Sequence, residues 1–210
     1  MKEIRRTKQS SLAGNSGGMI VPMNKLFLFF AIAAITFLFG GLIAAFFYLG
    51  INKGFQKFSL PAIFHANTLI MLVSSFTMHF ALQSLRKDEM EHYRFALGIT
   101  FLLGFAFILF QVLGWYELTA AGITITTVPT GSYLYMISGL HALHFLPGII
   151  VLGISFVKSI MRLCNPVDEL LFSTDNHKKL KIELLAFYWH FVDVLWLMIY
   201  FLFVIKLYII

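Results

Sequence analysis

Hydrophobic and polar positions along this chain alternate on the scale of a membrane. Five apolar runs, at about residues 26–49, 60–82, 95–113, 133–157 and 184–208, are divided by polar or charged segments. An α-helix rises about 1.5 Å per residue, so roughly 20 residues cross a hydrocarbon layer about 30 Å thick. Each run therefore predicts one transmembrane helix. Together they predict an all-α integral membrane bundle of five transmembrane helices, occupying residues 25–210. Residues 1–24 are polar, basic and glycine-rich. They read as a cytoplasmic N-terminal arm, too long for the charged lead of a cleaved signal peptide and followed by too long an apolar run.

The runs differ in how much polarity they tolerate. The first has Thr36 as its one clearly polar residue, and Gly40-Gly41 at its centre predicts close helix approach or a slight bend. The second carries His65, Asn67, Thr68, Ser74, Ser75, Thr77 and His79. Lipid offers these groups no partners, so this helix should face protein on most sides and use its hydroxyls for interhelical bonds. The third ends near Gln111, Trp115, Tyr116 and Glu117, aromatics and polar groups that suit a membrane interface. Residues 119–132 are too short and polar to span and read as a loop. In the fourth run Pro147 predicts a kink or a local break in backbone bonding. Residues 158–181 form a second polar connection.

Composition agrees: 59% of residues are hydrophobic and 12% charged, against about 25% charged in soluble domains. The net charge of +6 reports orientation. With five helices, one side receives Lys2, Arg5, Arg6, Lys8, Lys25, Arg86, Lys87, Arg94, Lys158, Arg162, Lys178, Lys179 and Lys181; the other receives Lys53, Lys57 and Lys206. The positive-inside rule then puts the N-terminus in the cytoplasm and the C-terminus outside. No basic run is interleaved with aromatics, so no nucleic-acid partner is expected. Cys164 is the single cysteine. It excludes an internal disulfide, a CxxC motif and a two-cysteine copper or zinc site.

The candidate chemistry lies in ionisable groups inside the runs. A charge at the bilayer centre costs about 2.5–3.5 kcal/mol on insertion scales, so Glu183, His190 and Asp193 in the last run need partners. Depth along antiparallel helices suggests two cross-helix pairs, Asp193 with His144 and Glu183 with His79. His190 and Asp193 share a helix face, as do His141 and His144. Three readings compete. His141 and His144 could begin a metal site, but a closed site needs three or four ligands. Asp193 and Glu183 could be a proton relay. The favoured reading is a satisfied polar network that fixes helix packing, built on Asp193, His190, Glu183, His144, His141, His79, Asn67 and Trp189, with no catalytic centre, cofactor or metal site in this chain.

The stretch Tyr188 to Trp196, Y-W-H-F-V-D-V-L-W, resembles a signature of subunit III of the haem-copper terminal oxidases. Leu60-Pro61, Asn67-Thr68, Ser74-Ser75 and Thr77 are similar to that family's L-P…N-T…S-S-x-T helix. Gln111, Trp115 and Leu118 fit its Q-x-x-x-W-x-x-L pattern. Gly131-Ser132, Tyr135, Gly139, His141 and His144 fit its G-S…Y…G-x-H-x-x-H helix, and Glu183 matches the glutamate upstream of the signature. The matches run in family order from about residue 25 to 210. The resemblance implies a non-redox accessory subunit III of a proton-pumping oxidase, in which the complex reduces oxygen to water in aerobic respiration. It implies packing on subunit I, contact with subunit II, phospholipid binding, and a role in sustaining proton uptake and turnover. Haem and copper would belong to partner subunits. A bacterial-type inner membrane is the expected location, and membership of a larger respiratory supercomplex is left open. Long members of the family have seven helices; this chain fits the five-helix form. The competing reading is a small proton-coupled transporter that uses Asp193, His144 and Glu183.

Overall fold

The computed structural model describes residues 23–53, 59–127, 129–162 and 175–208. These residues form five helices: α1 Met23–Lys53, α2 Ala62–Arg86, α3 Met90–Ala120, α4 Pro129–Arg162 and α5 Asn176–Tyr208. All five are long and apolar enough to cross a membrane. Nearly all of the arm expected at 1–24, together with Lys57 and Cys164, lies outside the described residues.

Most helices overrun the apolar runs that predict them. α3 continues past residue 113 through Trp115, Tyr116 and Glu117 to Ala120. α4 begins at Pro129, inside the segment expected to be a loop, whose non-helical part shrinks to the turn around Gly122 at φ +78. A 31-residue helix is about 46 Å long, well beyond the hydrocarbon. Polar residues end the hydrophobic pattern there without ending backbone hydrogen bonding. Pro147 sits inside α4 without dividing it. The Tyr188 hydroxyl donates to the His144 carbonyl at 2.6 Å, close to where the missing proline N–H loosens the ladder.

Helices α2, α3, α4 and α5 pack as a closed ring, each against its two neighbours, while α1 lies against α4 and α5. The α2–α3 connection is short. Asp88 takes the left-handed conformation at φ 59, which aspartate tolerates, and Glu89 N–H closes the turn on the Ser84 carbonyl at 2.9 Å. The ring is filled by Phe107, Phe145, Trp189 and Trp196, all almost fully buried. Phe145 meets Trp189 at 5.0 Å between centroids, and Phe107 meets Trp196 edge-on at 5.1 Å.

Two glycines of α3 make room for large rings of the neighbouring helices. A methyl group at Gly104 would lie 2.9 Å from the Trp189 indole, and one at Gly114 would lie 2.9 Å from the Phe64 ring. Gly40 and Gly41 behave otherwise: nothing lies within 4 Å of a methyl group at either. The close approach expected at that pair is made instead by glycines of α3 and α4. Helix α1 is attached through larger side chains. Phe39 packs edge-on against His144 at 5.8 Å, and Phe46 against Tyr133 and Phe203 at 5.7 and 5.3 Å.

Candidate functional site

The polar residues of α2 find their partners mainly on α5 and α3. The Trp189 indole N–H donates to Ser74 Oγ at 3.1 Å, and the Trp196 indole N–H to Thr68 Oγ1 at 3.2 Å. Seven residues on α5 thus match six on the antiparallel α2. Thr77 and Thr100 hydroxyls meet at 2.9 Å, and Asn67 Nδ2 donates to Gln111 Oε1 at 3.1 Å, tying α2 to α3. Trp115 Nε1 donates to Ser138 Oγ at 3.0 Å and ties α3 to α4.

Asp193 lies in the α2–α5 seam and is 4% exposed. Neither of its carboxylate oxygens makes a hydrogen bond of good geometry among the described residues. The Ser75 hydroxyl interacts with it, but Ser75 Oγ lies 2.8 Å from Nδ1 of the half-buried His190. The His190 ring lies 6.3 Å from that of His79. His79 is exposed on the side of the bundle, its Nε2 3.0 Å from Gln83 Nε2. At the end of the seam Arg86 pairs with Glu183 at 3.1 Å, and Lys179 with Asp88 at 2.8 Å.

His141 is fully buried, and neither ring nitrogen has a hydrogen-bond partner among the described residues. Its ring is held by aromatics, 5.1 Å from Trp196 and 5.9 Å from Phe107. Besides those of His141 and Asp193, the buried side-chain atoms without a partner among the described residues are Asn67 Oδ1, Gln111 Nε2 and Ser159 Oγ. Near the opposite end, His65 Nδ1 bonds the Tyr200 hydroxyl.

Neither cross-helix pair expected from depth forms. His144 turns its Nδ1 to the Leu140 carbonyl at 2.7 Å and its ring to Phe39 of α1, whereas Asp193 faces Ser75 of α2. Glu183 pairs with Arg86 instead of His79, and its side chain is 41% exposed. Depth along the axis fixes one coordinate only; the direction around each helix separates these residues. Asp193, His141, Asn67 and Trp189 are buried, His190 and His144 are half-buried, and His79 is exposed. Ser75, Arg86 and Trp196 also belong to the seam; the sequence places Ser75 among the interhelical hydroxyls, Trp196 in the Tyr188–Trp196 signature and Arg86 in the charge count, and assigns none of them to the polar network. The i, i+4 recurrence of Ser75, His79 and Gln83 was the available signal. Among the described residues no three His, Cys, Asp or Glu side chains come together as a possible metal site.

The fold and seam define a multi-pass helical membrane protein whose polar groups are turned mainly between helices. The sequence profile of cytochrome c oxidase subunit III matches residues 9–208, and the chain belongs to that family. It is 36% identical over 146 residues to cytochrome c oxidase subunit 3 of Anopheles quadrimaculatus, covering 70% of this chain and 50% of that protein. It is 34% identical over 145 residues to the Salmo salar protein of the same name, covering 69% and 49%. The Danio rerio protein is 32% identical over 145 residues, with the same coverage. The chain therefore aligns with about half the length of these relatives.

Proposed function

We propose that this chain is a non-redox accessory subunit of a haem-copper cytochrome c oxidase, packing on the chain that carries the haems and contacting the copper-bearing subunit. The single observation behind this reading is the family match over residues 9–208. In this role the chain contributes no catalytic centre of its own. Haem and copper stay with partner subunits, and this chain sustains proton uptake and turnover while the complex reduces oxygen to water. The apolar outer face of α1, with Phe27, Phe29, Phe30 and Phe37 exposed, supports phospholipid binding. The cytoplasmic N-terminus and outer C-terminus are supported by the strong bias of Lys and Arg to one side. A bacterial-type inner membrane is part of the same proposal; the relatives named above are animal proteins.

Purification in mild detergent tests this. Haem-bearing chains should co-purify, and mass spectrometry should identify them. Stripping this chain away should leave initial oxygen consumption measurable but shorten the time for which it is sustained. A chain that purifies without haem-bearing partners, and that alone drives pH-dependent solute flux in liposomes, would be a transporter instead.

A further inference from the structure

We propose that Asp193 exchanges a proton with one end of the bundle through Ser75, His190 and His79, laid in a row along the α2–α5 seam. This deepens the proton-uptake part of the reading above and rests on it.

A buried acid with unpartnered oxygens is costly to keep in a helix bundle and calls for a ligand. Asp193 is such a group, at 4% exposure. A proton is the ligand its oxygens can take without any further donor. The route outward is made of groups that can both accept and release one. Ser75 Oγ lies 2.8 Å from Nδ1 of His190, one turn from Asp193 on the same face of α5. The ring centroids of His190 and His79 lie 6.3 Å apart, near enough for one water to join their nitrogens. His79 is exposed, beside Gln83, one to two turns from the Arg86–Glu183 pair.

On α2, Ser75, His79 and Gln83 recur every four residues, and Arg86 follows three later, so they form one stripe. On α5, His190 and Asp193 share a face with it. α3 turns the Thr100 hydroxyl to Thr77, and α4 turns its ionisable His141 to the far ring of Trp196.

The balance is simple. A proton taken up by His79 displaces one from its other nitrogen. It passes through His190 and the serine hydroxyl, each accepting one and releasing one, and converts the Asp193 carboxylate to the acid. The reverse returns it, and nothing else is consumed.

Infrared spectroscopy of the intact complex in lipid nanodiscs, switched from H2O to D2O, tests the row. Asp193→Asn should remove a protonated-carboxyl band. In the unmodified complex that band should shift promptly on the switch, and in His79→Leu or Ser75→Ala it should shift about tenfold more slowly. If Asp193→Asn fails to assemble, Asp193→Glu keeps the acid and moves the band, which makes the same assignment. His79 is exposed, so His79→Leu disturbs no core. If neither Asp193 variant alters a protonated-carboxyl band, or if exchange is equally fast in every variant, the proposal is overturned. An intact complex with unaffected exchange removes only the proton row; loss of haem-bearing partners removes the subunit reading itself.

Discussion

At the scale of single residues, two kinds of glycine separate. Gly104 faces the Trp189 indole so closely that Gly104→Ala must push it. Overpacking of this kind costs about 1–3 kcal/mol, so the thermal midpoint of the purified complex should fall. Gly40→Ala meets open space within the chain and removes a residue that weakens helices by about 0.5–1 kcal/mol; the same measurement should show no loss. Trp196→Phe keeps an aromatic ring but leaves Thr68 without its indole donor. It should cost about 0.5–1.5 kcal/mol, and most of that cost should vanish in a Thr68→Val background. The sequence shows which residues are polar inside apolar runs, and so points to Ser74, Thr68, Asp193 and His141. It does not show the azimuth of each side chain. His144 and Asp193 therefore look like partners by depth, while their helices turn them towards α1 and α2.

At the scale of elements, the ends of helices are where the pattern of apolar residues stops being a guide. The start of α5 is set by Asp175, whose Oδ1 accepts the backbone N–H of His177 at 3.0 Å and of Lys178 at 3.3 Å. Desolvation pushes this carboxyl up, but those N–H groups and the Lys178 ammonium outweigh it and hold it below the usual carboxylate range. A depressed carboxyl stabilises the folded state above its unfolded pKa, and that support is lost as pH falls through the folded value. Acidification through the carboxylate range, or Asp175→Ala at neutral pH, should fray the first turn of α5, seen as faster amide exchange at residues 177–179. The Arg86–Glu183 pair ties α2 to α5 at the same end, but its side chains are 63% and 41% exposed. Exposed pairs are worth about 0–1 kcal/mol, so Glu183→Gln should move the thermal midpoint little. Five apolar runs are enough to count the helices. The overrun of α3 to Ala120 is not legible, because Trp115, Tyr116 and Glu117 break the apolar run while their backbones continue the helix.

At the scale of the whole molecule, four helices close a ring and the fifth leans on it. Helix α1 is held to α4 and α5 through Phe39 and Phe46. Phe46→Ala, worth at most about 3–5 kcal/mol by analogy with soluble cores, should raise amide exchange in α1 while leaving the ring's protection unchanged. The order of synthesis gives this arrangement a further meaning. α1 leaves the ribosome before the helices it rests on, which end at Arg162 and Tyr208. At about 5–20 residues per second, it waits on the order of ten seconds for its own chain to supply them. During that interval its aromatic faces are open to any neighbour already in the membrane. α1 is thus made well before its docking partners, and it can settle only once both α4 and α5 are in the membrane.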